Sequence, residues 1–217
     1  MSRKRIEQLY AVTPDASDSD WLYERTGAVL AGGARVIQYR SKNADEDGPA
    51  KTMLGAEQLR WLLEGLRTSM ATWKVIVTSV PLSVPKGGGM TGSGYDGWAG
   101  GSNGTGFERE RQIIVDAILG EKKKNVVFLG GDVHWVQANI YDVNQDGTPD
   151  FHEFVAGPLS ARPGRLTPPS PALHPKNLIN EEGYYNFGLV RVTKEAFAVS
   201  IIDDVGTTRF EYKVMAQ

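Results

Sequence analysis

Cysteine is missing from all 217 residues, and its absence excludes disulfides, thiolate metal sites and cysteine nucleophiles together. Long apolar runs are missing too. No stretch approaches the ~18 residues of a membrane helix, so no membrane partner is expected. The basic start MSRKRIEQLY leads into AVTPDASDSD and not into the apolar core of a signal peptide, so no export signal is read and the location stays open. Positive charge is not in excess, since the formal net charge is -2, and the electrostatic footprint that draws proteins to nucleic acid is lacking. No nucleic-acid partner is expected. What remains, 41% hydrophobic and 23% charged residues, is ordinary for a soluble globular chain of one sizeable domain or two small ones.

The first forty residues read as one unit. Leu9 to Val12 is a short apolar strand and Thr13-Pro-Asp15 turns it. Ser17 or Asp18 is placed to cap a helix carrying Leu22, Ala28, Val29 and Ala31, Gly32-Gly33 stops that helix, and Arg35 to Tyr39 is a second strand. This is the strand-helix-strand crossover of parallel sheets. The polar run Ser41 to Lys51 is a junction. Beyond it, Leu54 to Ser69 is a helix with Leu59, Leu62, Leu63 and Leu66 on its apolar side and Trp61 beside them, and Trp73 to Val77 is a strand. A glycine-rich stretch from Pro81 to Gly106 follows, broken by Tyr95, Asp96 and Trp98; loops this long are uncommon and tend to carry function. A helix at Phe107 to Leu119 starts with Glu108 and Glu110 in its first turn. Strands follow at Asn125 to Leu129 and around Val136 to Tyr141. After the segment FHEFVAGPL and a proline-rich loop from Arg162 to Pro175 come three late strands, near Tyr185 to Val192, Ala196 to Ile202 and Arg209 to Val214.

Two constellations carry chemistry. In VFLGGDVHW, residues 127 to 135, paired glycines let the backbone leave a strand. Asp132 and His134 project to one side if extended geometry persists. A carboxylate beside an imidazole suits divalent or trivalent metals in hydrolytic sites; the alternative is a plain strand-end turn. In DVNQDGTPDFHE, residues 142 to 153, the spacing matches a calcium loop with Asp142, Asn144, Asp146, Asp150 and a closing Glu153. Pro149 and the strand-like flanks favour the alternative, an Asp/Asn/Gly turn between two strands. His152 and His174 are read as surface or structural residues.

From about Asp45 onward, KTMLGAEQLRWLLEGL, ATWKVIVTSVPLS, the Tyr-Asp-Gly-Trp loop, ERERQIIVDAI, NVVFLGGDVHW, FHEFVAGPLSARPG and YYNFGLVRV together resemble the alkaline phosphatase D family, the PhoD-like metallophosphoesterases. The resemblance implies an α/β fold, part of a calcineurin-like sandwich with a mixed sheet and flanking helices. It implies that Asp132 and His134 are metal ligands in a two-metal-type site, with iron, manganese or zinc beside calcium as cofactors. The reaction implied is metal-assisted hydrolysis of a phosphoester small molecule. In that superfamily an N-terminal half supplies the other ligands, and a histidine often follows the strand that here leads to Ser79. The expectation is therefore an incomplete or inactive chain unless a second chain or self-association completes it. Family members are often exported.

Residues 5 to about 42 resemble the first strand-helix-strand of thiamine phosphate synthase, which implies a pyrophosphate role for Gln38, Arg40 and Lys42. A surface-charged strand end is the alternative, since one such unit is a small part of an eight-stranded barrel. The expected division is 1–44, a synthase-like segment, and 45–217, the phosphatase-like part. Three functions stay open: a phosphatase or phosphodiesterase, a synthase-like transferase fragment, and a non-catalytic calcium-stabilised fragment or subunit.

Overall fold

A computed structural model describes residues 9–12, 34–38, 52–85, 97–100 and 106–217. The chain divides into two compact units, Met1–Asp45 and Glu46–Gln217. In the first, β1 (Leu9–Val12) pairs in parallel with β2 (Ala34–Gln38). The parallel sense is the one a crossover requires. The expected helix between them lies outside the described residues, as do Arg40, Lys42, Tyr95 and Asp96.

The second unit is a sandwich of two sheets. The larger has the order β3-β4-β6-β5-β7, with β3 (Lys74–Val77), β4 (Val126–Gly130) and β6 (Phe151–Val155) mutually parallel. β5 (Val136–Tyr141) and β7 (Pro175–Glu181) run antiparallel to their neighbours. The smaller sheet is an antiparallel β8 (Asn186–Val192), β9 (Ala196–Asp203) and β10 (Thr208–Met215). Period-two alternation sends Val127, Val136, Ala138 and Phe154 from one sheet against Phe197, Val199, Ile201 and Val214 from the other. That is the main core. Phe128 and Phe151 point the opposite way and meet edge-on, with Tyr141 stacked on Phe151.

Two helices complete the unit: α1 (Gly55–Thr68) and α2 (Glu108–Gly120). α2 buries Ile114, Val115 and Ile118 at helical spacing, and α1 buries Leu66. Trp61, read as flanking the apolar side, is 72% exposed. Glu110 does more than sit in a first turn: one of its carboxylate oxygens accepts the Met53 and Leu54 amides at 2.6 and 2.9 Å, capping α1 from another element. β7 is an addition to the expected strands. Its sequence, PKNLINE, is rich in residues that strands avoid, and it is tolerated because β7 is an edge strand that begins on its proline. Among the described residues no helix is long and apolar enough to cross a membrane.

Candidate metal-type site

β3, β4 and β6 all finish at one end of the sheet, and the ladder runs slightly past them: Thr78 N donates to Leu129 O at 2.9 Å and Ala156 N to Gly130 O at 3.3 Å. Groups presented there lie in the crevice beyond the carboxyl ends of parallel strands, where α/β sheets bind ligands. After Gly130 the chain does not stay extended, contrary to the simplest expectation from spacing. Val133 N bonds Gly131 O at 2.9 Å, closing a three-residue turn centred on Asp132 at φ 69°, and His134 follows at φ 64°. Positive φ is costly outside glycine, and such a turn persists only when its surroundings fix it. Here the fixing residues are apolar. Val133, 2% exposed, packs with Val84, Trp135 and Val155, leaving the flanking Asp132 and His134 half-buried. The two side chains are thus displayed by a buried valine between them.

The imidazole is oriented from outside the turn. His134 Nδ1 lies 2.8 Å from Arg162 O. A carbonyl only accepts, so Nδ1 carries the proton and the Nε2 lone pair is left for a ligand. Gly164 N donates to His134 O at 2.8 Å, and a Cβ at Gly164 would meet Val133 O at 2.7 Å. Only glycine lets this loop lie so close. The loop's start is held by Asn186, 2% exposed, whose side chain accepts from Gly157 N and donates to Gly157 O, each at 2.8 Å. Across the strand ends, buried Trp98 Nε1 donates to Thr78 Oγ1 at 2.6 Å, which places the tryptophan of the glycine-rich loop at this end of the sheet. Arg162, Gly164, Thr78 and Asn186 act here through backbone contacts or long-range bonds that sequence does not display. The visible signal was the pairing of glycine with proline in ARPG.

The calcium-type residues are separated. The stretch is the hairpin between β5 and β6, closed by Asp150 N to Tyr141 O at 2.8 Å. Asp142 accepts the Asp146 and Gly147 amides at 3.0 and 2.9 Å, Asp146 accepts Thr148 N at 2.8 Å, and Asp150 accepts Val143 N at 2.8 Å. Asn144 bridges to Asp146. The Thr148 amide, with the Asn144 side chain, holds the Asp146 carboxyl below its usual range. Glu153 does not close this loop: because β6 has already begun at Phe151, Glu153 sits opposite Asn139 inside the sheet, 0% exposed. It accepts Leu82 N and the Tyr141 hydroxyl, both at 2.6 Å. His174 meets Gln145 at 3.1 Å, while His152 is buried. Among the described residues no group of three or more histidine and acidic side chains is gathered as a metal site. Gln38 ends β2, and two paired strands stand far from an eight-stranded closure.

Comparison with known proteins agrees with this architecture. A family model described as PhoD-like phosphatase matches residues 21–199. The alkaline phosphatase D of Bacillus subtilis is 31% identical over 123 residues, 51% of this chain and 20% of that protein. A solved structure titled "Structure of PhoD" aligns with TM-score 0.57 and 20% identity, over 83% of this chain and 39% of that one. The thiamine-phosphate synthase of Nitrosospira multiformis is 51% identical over 45 residues, 21% of this chain and 19% of that protein. The matches therefore span about a fifth of the curated relatives' lengths.

Proposed function

Because the chain belongs to the PhoD-like phosphatase family, we propose that its Asp132 and His134 turn is the portion of a metal-dependent phosphoester hydrolase centre that this polypeptide supplies. The observation that carries this reading is the bond from His134 Nδ1 to Arg162 O. Catalytic imidazole ligands typically give their second nitrogen to a carbonyl or carboxylate, which fixes tautomer and ring plane. The donor chemistry of the pair suits iron, manganese or zinc. The number of donors does not, because a catalytic ion takes at least three protein ligands and no group of three is gathered among the described residues. The remainder would come from residues outside the described set or from a completing chain. The metal, when bound, supplies charge neutralisation at the phosphoryl oxygens. The chain's own part is to present a carboxylate and an Nε2 lone pair in a crevice at the strand ends.

The test is hydrolysis of bis-p-nitrophenyl phosphate by the 217-residue chain with iron, manganese or zinc beside calcium, against Asp132→Ala and His134→Ala. Turnover is expected to fall about 100-fold or more in either variant, since even the groups behind metal ligands are worth 10–100-fold. A folded wild-type chain that turns over no faster than its variants would sink the catalytic reading.

Calcium at the β5–β6 hairpin is a second reading, supported by the presence of Asp142, Asn144, Asp146 and Asp150 on one hydrogen-bonded loop, although their oxygens accept from the loop's own amides. Glu153 plays no part in it. An ion held with a Kd a hundredfold below its concentration adds about 2.7 kcal/mol, or roughly 5–10 °C in a unit of this size. Melting in 1 mM calcium and in EDTA should differ by that much, and Asp142→Ala should remove the difference. Equal melting temperatures would leave the hairpin as an Asx-bonded turn.

A further inference from the structure

The loop laced to His134 carries two cationic side chains that the carboxylate and imidazole pair does not use. Arg162 and Arg165 flank Pro163 and Gly164, and both are exposed. Among the described residues the ion pairs are those of Arg67 and Arg209, and neither loop guanidinium is paired with a described acid. Their backbone, by contrast, is fixed. Arg162 O receives the imidazole at 2.8 Å, Gly164 N bonds His134 O at 2.8 Å, and the Leu166 amide donates to the Glu182 carboxylate. Pro163 narrows the chain further, holding its own φ and keeping Arg162 in extended conformations. The root of the Arg162 side chain is therefore set next to the carbonyl that touches His134.

A guanidinium offers a planar fork of donors that matches two oxygens of a phosphoryl group, and it stays charged at any working pH. A phosphoester approaching Asp132 and His134 brings non-bridging oxygens to the crevice beside the loop whose Arg162 carbonyl holds the imidazole. We propose that Arg162, with Arg165 three residues on, is the phosphate-binding element of this site and receives the non-bridging oxygens of the substrate. This assignment rests on the phosphoesterase reading above and names the residues that select an anionic substrate. The hydrogen bond from His134 then has a second consequence: it ties the anion-binding loop and the metal-type ligand together, so that neither moves without the other.

The experiment is calorimetric titration of the 217-residue chain with inorganic phosphate, using wild type, Arg162→Ala, Arg162→Lys, Arg165→Ala and the double variant Asp132→Ala/His134→Ala. Arg162→Ala should weaken phosphate binding about tenfold or more, the scale of losing a bidentate charged contact. Arg162→Lys should restore part of it, because an ammonium keeps the charge without the fork, and Arg165→Ala should show a smaller loss. The melting temperature of each arginine variant should match wild type, since both residues are exposed; a structural role would lower it and would not be rescued by lysine. Unchanged phosphate affinity in Arg162→Ala, or no binding by wild type at 10 mM phosphate, overturns the assignment. Its failure is separable from that of the hydrolase reading. If the double variant keeps metal-dependent turnover while Arg162→Ala loses phosphate, the anion site stands and the metal assignment falls; the reverse pattern removes the arginine alone.

Discussion

Replacing Arg111 with alanine should lower the melting temperature by about 6–20 °C, more than any surface substitution in the chain. Arg111 lies in α2 and is 4% exposed, and Glu153 lies in β6 at 0%. They hold the two backbone groups of one residue: Glu153 accepts Leu82 N at 2.6 Å and Arg111 Nη1 donates to Leu82 O at 2.6 Å. Tyr141 donates to the second carboxylate oxygen at 2.6 Å, and Asn139 adds a longer contact at 3.4 Å. Burial raises the Glu153 carboxyl and lowers Arg111, each drawn back in part by the other's charge. Neither charge is favourable alone in this interior. Removing the guanidinium leaves the buried Leu82 O without its donor and withdraws a cation that acts on Glu153 across Leu82 without touching it, losses that together cost about 3–5 kcal/mol. At roughly 2–4 °C per kcal/mol for a unit of this size, the shift follows.

A paired replacement separates the charge term from simple loss of packing. Arg111→Met combined with Glu153→Gln should melt above Arg111→Met alone, because the amide leaves no uncompensated charge in the interior. If Arg111→Ala melts within ~2 °C of wild type, well below the cost expected of a buried carbonyl left without its donor, the clamp on Leu82 is not holding the fold. The effect should also reach the candidate site. Leu82 lies between Thr78, which receives Trp98, and Val84, which packs under Val133. Loosening that segment removes the floor that keeps Asp132 and His134 at positive φ.

This clamp also marks where reading the sequence stops. Strand and helix positions were legible because their signals are local: β5 was expected at Val136 to Tyr141 and is found there, and α1 differs from its expected span by one residue at each end. The GGDVH segment stood out as a candidate because two glycines, an acid and a histidine sit within five residues, and the structure places it where parallel strands end. Glu153 was misplaced for the same reason. Its spacing fits a loop-closing ligand, but the start of β6 at Phe151 points it to the helix-facing side of the sheet, where Tyr141 and Leu82 take both its oxygens. Spacing encodes what a loop permits, whereas the partner that wins is set by a residue 71 positions away. The grip of Gly164 and Arg162 on His134 is non-local in the same sense, and it is made largely by backbone atoms that every residue shares.

His152 should make stability fall as pH is lowered from 7.5 to 5, in EDTA so that no bound cation intervenes. Its partners in register are Val127 and Ile140, and its neighbouring rings are Phe154 at 6.4 Å and Tyr212 at 6.0 Å. It shares the face of β6 that carries Phe154 into the core between the sheets, and it is 8% exposed. Burial alone lowers its pKa from 6.5 to about 4. The sign follows from which state holds the proton. Between these two values the unfolded chain is protonated and the folded chain is not, so folding must release the proton and becomes less favourable as pH falls. Stability from this residue is complete above 6.5, declines through the window and levels off below 4. By pH 5 the loss is roughly 2 kcal/mol, at 1.36 kcal/mol per unit. Carboxylates change too, but Asp146 and Asp203 are held low by hydrogen bonds and lose their contribution mainly at more acid pH. Glu110 and Glu153, raised by burial, act in the opposite direction. His152→Leu cancels these shared terms when its urea unfolding is compared with wild type at each pH. The wild-type chain should lose about 2 kcal/mol more than the variant between pH 7.5 and 5; a constant difference across that range would show that the imidazole gains its proton inside the fold without penalty.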